Sequence, residues 1–130
     1  MIVVDASVVT VALIDDGSDG VRVRTVLSGQ ALAAPELIDL EVLTVLRRQV
    51  RARAMTPRRA ELALVDLADL PMKRATHRPL LARCWELRAS VTAYDAAYVA
   101  LAEALKVPLL TADRRLARSP GIRCPVEVIS

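Results

Sequence analysis

Short, continuously apolar runs alternate along the chain with longer stretches of helical spacing. Met1-Ile2-Val3-Val4 is apolar throughout, the pattern of a strand buried on both faces, and it stops at Asp5. Further strands are predicted at Ala31 to Ala34, Met72 to Thr76, Val107 to Thr111 and Val126 to Ile129. Between them the spacing predicts helices over Val8 to Ile14 with Ser7 as cap, Val21 to Leu27, and onward from Glu36 through Leu46. A fourth helix opens at Thr56-Pro57 and runs to Leu70; others cover Pro79 to Ala89, Tyr94 to Leu105 and Arg114 to Arg118. The third helix carries apolar residues on more than one face and is expected to be well buried, and Leu80, Leu81, Cys84, Trp85 and Leu87 are expected in the core. Asp15, Asp16 and Asp19 lie in the most polar stretch and read as turn and cap residues.

This order predicts an α/β fold: a three-layer α/β/α sandwich with a mostly parallel central sheet, in one domain spanning residues 1–130. No basic segment precedes an apolar one, and no apolar run approaches the ~20 residues of a membrane span, so a soluble cytoplasmic protein is expected.

Composition narrows the chemistry. Cys84 and Cys124 form no CxxC pattern and read as reduced thiols; the one histidine, His77, precedes Arg78-Pro79 as a turn or helix-start residue. Multi-histidine zinc sites are excluded, so any metal must be held by oxygen. The net charge is +3, and Lys73 and Lys106 are the only lysines, so nearly all the positive charge is arginine, which suits bidentate contact with phosphate or carboxylate. With Trp85, Tyr94 and Tyr98 the only aromatics, a protein that holds single strands mainly by stacking bases is not expected.

Four acids stand in apolar surroundings: Asp5, Glu41, Asp95 and Asp113. Asp5 and Asp113 follow predicted parallel strands at the same edge of the sheet, where open α/β folds bind their ligands, and Glu41 and Asp95 lie on helices able to pack beside it. Each also has a structural reading. Asp95 can cap its helix, Asp113 can be a turn residue, and Glu41 can pair with Arg47 or Arg48. If the four converge, two like charges ~5 Å apart repel by ~3 kcal/mol at an effective dielectric of ~20, so a cation or protons must enter. A carboxylate-rich oxygen site selects Mg²⁺, or Mn²⁺ as substitute.

These residues carry a resemblance. Val4-Asp5-Ala6-Ser7, Pro35 followed by Glu41 in a leucine-rich helix, Tyr94-Asp95-Ala96-Ala97-Tyr98-Val99-Ala100-Leu101-Ala102 and Leu110-Thr111-Ala112-Asp113 resemble, in order and spacing, a PIN-domain ribonuclease of the VapC toxin type. The resemblance covers nearly the whole chain. It implies a PIN-like fold, an acidic metal site of Asp5, Glu41, Asp95 and Asp113 supported by the hydroxyls of Thr111 and Ser7, and Mg²⁺-dependent cleavage of RNA leaving a 5′ phosphate. It also implies a cognate antitoxin and a homodimer. Many family members carry an acid or Asn soon after the last aspartate, where this chain has Arg114-Arg115, so a second metal is expected to be held less well. Arg114 and Arg115, with Arg88, are the candidate contacts to the RNA backbone. Two alternatives stand beside this reading: a PIN-like RNA-binding or scaffold protein without turnover, and a receiver-type signalling domain, which would need an acid ending a mid-chain strand and a lysine after the last buried one.

Overall fold

A computed structural model of the chain describes residues 1–129. Among them β1 (Ile2–Val4), β2 (Leu32–Pro35), β3 (Met72–Ala75), β4 (Leu109–Thr111) and β5 (Val126–Val128) form one sheet in the order β3-β2-β1-β4-β5. Every neighbouring pair is parallel, so the sheet is wholly rather than mostly so. The helices are α1 (Ala6–Ile14), α2 (Ser18–Leu27), α3 (Leu37–Arg51), α4 (Pro57–Asp69), α5 (Leu81–Glu86), α6 (Ala93–Leu105) and α7 (Arg114–Ala117). All residues of β1, β2 and β4 are buried, which is why these strands read as continuous apolar runs.

Parallel strands are joined by right-handed crossovers, so the direction of each step decides which face its helices cover. The chain steps from β1 to β2 to β3 in one direction, with α1 to α4 packed against one another on one face. It then returns across the sheet to β4 and β5, and α6 lies over β1, β2 and β4 with α5 against it. The result is the predicted three-layer sandwich. The alanines of α6 let it lie close to the strands: every residue from Ala96 to Ala102 is buried. The direction of travel reverses between β1 and β4, at the topological switch point where a doubly wound sheet opens a crevice beyond its strand ends. A receiver-type chain of order 2-1-3-4-5 would place β3, not β4, beside β1, so that alternative is overturned.

Four expectations are corrected. Asp5 rather than Ser7 caps α1, and α2 starts at Ser18 inside the stretch read as a turn. Asp15 makes that early start possible by accepting from the Gly17 and Gly20 amides, and a Cβ on Gly20 would fall 1.8 Å from the Asp15 carbonyl oxygen. Helix α3 is not buried all round: Ile38, Val42 and Leu46 face the core, while Leu40 and Leu43 are exposed. The helix predicted from Pro79 to Ala89 is a single 3-10 turn, Arg78–Leu80, followed by the six residues of α5; Leu80 and Leu87 are buried, but Leu81 and Trp85 face outward. So short a helix cannot keep a long apolar stripe on one side.

His77 serves the start of α3 from forty positions away in sequence. Glu36, at the N-cap, makes no side-chain cap, and the Leu37 amide instead donates to His77 Nε2 at 3.1 Å. Replacing the imidazole by an aliphatic side chain, His77→Leu, leaves that amide without a partner and should cost about 1 kcal/mol. A lower urea midpoint at unchanged m-value is the expected result; an unmoved midpoint would show that water serves the amide equally well.

Candidate functional site

The register of the central strands sets the site. Val3 pairs with Leu109 and Val4 with Leu110, so one step further Asp5 stands beside Thr111. The Thr111 hydroxyl donates to Asp5 Oδ2 at 2.5 Å, the Ser7 hydroxyl to Oδ1 at 2.5 Å, and the Val8 amide to Oδ1 at 3.2 Å. Three of the carboxylate's roughly four acceptor positions are thereby used, with the remaining one on Oδ2. Asp5 is only 8% exposed, and burial raises its pKa although all of these donors pull it down. The same two hydroxyls extend the network, since Ser7 Oγ accepts from the Ala112 amide at 3.1 Å and Thr111 Oγ1 from the Asp113 amide at 3.0 Å. The end of β1, the first turn of α1 that follows it and the end of β4, far away in sequence, are locked around one carboxylate.

Glu41 stands in the second turn of α3. Among the described residues it has no arginine partner, so the expected alternative of pairing with Arg47 or Arg48 does not hold; Tyr98 Oη donates to Glu41 Oε1 at 2.5 Å instead. The Tyr98 ring is buried within α6, and burial together with the Glu41 carboxylate drives its hydroxyl far above the ordinary tyrosine range, so it stays a proton donor. Asp95, three residues before Tyr98 on the same face of α6, does not cap that helix; Thr92 does, accepting from the Asp95 amide at 3.2 Å. Asp113 does cap α7, through the Arg115 amide at 2.9 Å, and the Arg115 guanidinium lies 3.5 Å from it.

Electrostatics ties these acids together. Burial is the largest cause raising the pKa of Glu41, to which the Asp95 and Asp5 charges add. Burial likewise leads for Asp95, followed by Asp113 and Asp5, with Arg115 opposing. Glu41 and Asp95 thus respond to neighbouring acids, yet the four side chains stand apart: among the described residues no three acids, histidines or cysteines are gathered closely enough to enclose a metal ion. Helices α1, α3, α6 and α7 all turn their N-termini to this edge of the sheet, and their dipoles offset part of the repulsion. Beside Glu41 and Ser7 opens a cleft of about 490 Å³, walled by Leu37, Leu40 and Val45, with Tyr94 on one side and Arg48 two helical turns from Glu41.

Elsewhere the candidate residues divide. Arg114 and Arg115 sit on α7 directly after Asp113, exposed, whereas the Arg88 guanidinium is stacked over the Trp85 ring at 4.4 Å and donates to the Trp85 carbonyl at 2.9 Å. Burial pushes the thiols of Cys84 and Cys124 up, so both stay protonated. Tyr98 is the residue that sequence reasoning missed. Its signal was the spacing: a tyrosine three positions after an acid, in a helix otherwise built of small apolar residues.

The sequence comparisons agree with one another. A sequence model of the PIN domain matches residues 2–122. Ribonuclease VapC1 of Mycobacterium tuberculosis is 44% identical over 128 residues, covering 98% of this chain and 96% of its own. Among solved structures, VapC20 of Mycobacterium tuberculosis, a toxin that cleaves the sarcin–ricin loop, superposes with a TM-score of 0.72 at 14% identity, covering 95% of this chain and 97% of that one. VapBC2 of Rickettsia felis, solved bound to a DNA fragment from their promoter, gives a TM-score of 0.66 at 15% identity, over 98% of both chains. At such identities the two structures bear on the fold alone.

Two outcomes are expected. Because the pKa of Asp95 is raised in the fold, its ionisation destabilises the metal-free protein above the ordinary aspartate value of 3.8, and below that value the cost is absent. In chelator, Asp95→Asn should therefore be more stable than the parent at neutral pH, and the difference should shrink as the pH falls towards 4. Urea unfolding across that range measures it; a difference constant with pH would mean that Asp95 is not repelled in the fold. Tyr98→Phe keeps the ring but removes the donor to a half-buried carboxylate, and should lower stability by about 1–2 kcal/mol in the same assay.

Proposed function

The chain belongs to the PIN domain family, among relatives named VapC ribonucleases, and from that premise we propose that it is an endoribonuclease, the toxin of a toxin–antitoxin pair. It hydrolyses RNA phosphodiester bonds in the cytoplasm at the edge of the sheet where Asp5, Glu41, Asp95 and Asp113 meet. The observation that carries the reading is that acids from four separate elements come together at the switch point, where the charges of Asp95 and Asp5 raise the pKa of Glu41 and those of Asp113 and Asp5 raise that of Asp95, although Asp5, Glu41 and Asp95 have no ion-pair partner among the described residues. Capping alone accounts for Asp5 and Asp113, but it gives no reason to bring Glu41 and Asp95 to the same place.

The donors fit a hydrated Mg²⁺ better than a closed cage. All are oxygens, and they stand apart, as suits an ion that keeps several waters and takes only one or two carboxylates besides the substrate phosphate. When bound, Mg²⁺ or Mn²⁺ supplies an activated water and neutralises charge gathering at phosphorus and at the leaving oxygen. The protein's share is positional. Ser7, Thr111 and the Val8 amide fix Asp5 so that its free Oδ2 position is presented without reorganisation, and Tyr98 holds Glu41 by one oxygen and leaves the other available. Asp95, with the α6 dipole behind it, completes the negative basin, and Asp113 joins it from the end of β4. The exposed guanidinium groups of Arg114 and Arg115 next to Asp113 contact the flanking RNA phosphates, giving affinity with little sequence choice.

Partners follow from the same reading. A cognate antitoxin is supported by the VapC names of the relatives and by the VapBC2 structure. A homodimer is supported by apolar side chains left in solvent, Leu43 on α3 and Leu62 and Val65 on α4. No helix among the described residues is long and apolar enough to cross a membrane.

The decisive substitution is Asp5→Asn, which keeps an N-cap for α1 while removing the charge. It should abolish RNA cleavage in Mg²⁺ or Mn²⁺ and leave the folded circular-dichroism spectrum in chelator unchanged. Growth arrest on expression, with sequencing of the RNA ends, then identifies the substrate. Equal cleavage by parent and variant would sink the proposal.

A further inference from the structure

The chain has three aromatic residues, and only Tyr98 is in the core. The other two, Trp85 at 67% and Tyr94 at 65% exposure, are among the most exposed large apolar side chains of the protein. Both flank the start of α6, the helix that carries Asp95. Trp85, Arg88 and Ala93 line one hollow; Ala93, Tyr94 and Leu37 line the next; Tyr94, Leu37, Glu41 and Ser7 line the cleft beside the acids. Each hollow shares residues with its neighbour, so the three adjoin in a row from Trp85 past Tyr94 to Glu41. Arg88 caps one face of the indole, and Arg48 lies at the far end; neither is in an ion pair among the described residues.

We infer that this row of hollows is a binding track for single-stranded RNA on one side of the cleaved bond, with one base stacked on Tyr94 and another on the open face of Trp85. The inference rests on the ribonuclease reading of the acidic site. Charge and shape both favour this occupant. Exposed π faces accept any base, a guanidinium over the indole adds a cation to the stack, and arginines at both ends suit a polyanion whose scissile phosphate lies among the carboxylates. A duplex keeps its bases paired and stacked internally and offers them no face, so the track selects unpaired RNA. What the scarcity of aromatics argued against is offset by their placement.

Trp85 is the only tryptophan, so its fluorescence reports on this surface alone. In chelator, where cleavage is stopped, a short single-stranded oligoadenylate should quench the emission of the parent protein saturably, and the same strand in a duplex should not. Measured by anisotropy of the labelled oligonucleotide, Trp85→Leu and Tyr94→Leu should each weaken binding about tenfold, and Trp85→Tyr should restore most of the loss. Both side chains are exposed, so the melting temperatures of the variants should match the parent. Unchanged affinity in Trp85→Leu overturns the track, and so does failure of the parent to bind the oligoadenylate. Emission that responds to protein concentration but not to RNA also overturns it, because a second copy of the chain then covers the indole. Cleavage in Mg²⁺ that is lost in Asp5→Asn but kept in Trp85→Leu would leave the nuclease reading standing while the track fell.

Discussion

A carboxylate buried at the end of the central strand of an apolar sheet must be supplied with hydrogen-bond donors, and much of this structure follows from how Asp5 obtains them. An isolated ionised carboxylate in such a place would cost several kcal/mol or take up a proton. Ser7, Thr111 and the Val8 amide supply the donors, and each comes from an element whose position is thereby constrained. The Val8 bond starts α1 directly after β1. The Thr111 bond fixes β4 beside β1 at the point where the chain reverses its direction of travel across the sheet. Because Ser7 and Thr111 also receive the Ala112 and Asp113 amides, the turn into α7 is set by the same network. One buried charge thus organises three segments of the chain and places a second acid beside itself.

The same arrangement works against stability. Glu41, Asp95 and Asp5 all have raised pKa values, first through burial and, for Glu41 and Asp95, also through mutual repulsion. Four helix N-termini and the Tyr98 hydroxyl offset part of this cost without removing it. A sequence selected for stability alone would neutralise some of these positions. Their presence in an otherwise well-packed sandwich accords with the proposed cation at this edge, which would relieve the repulsion. Some of the exposed apolar side chains lie close by: Leu40 and Tyr94 line the cleft that Glu41 opens onto.

Fold class was legible in the sequence because the physics behind it is local. Buried parallel strands must be continuously apolar, so Ile2 to Val4 and Leu109 to Thr111 announced themselves, and the Thr56-Pro57 helix start needed only its own residues. Asp5, Glu41, Asp95 and Asp113 were legible as candidates because acids are rarely placed in apolar stretches without a reason. Which face of a helix meets the core is not local. The apolar residues of α3 and α5 read as buried, yet Leu40, Leu43, Leu81 and Trp85 face outward, since each helix touches the core along one side only.

Sequence by itself therefore determined the layered architecture, the places of the strands to within a residue or two, and the candidacy of the four acids, all of which depend on the chemistry of a residue and its near neighbours. Only the tertiary structure decided the partners. It gave Glu41 to Tyr98 rather than to Arg48, the α3 amide to His77, the cap of α1 to Asp5 rather than Ser7, and the two hydroxyls to one carboxylate. These pairings join residues up to 106 positions apart, and strand order and register select them, neither of which is written in any single stretch of the chain.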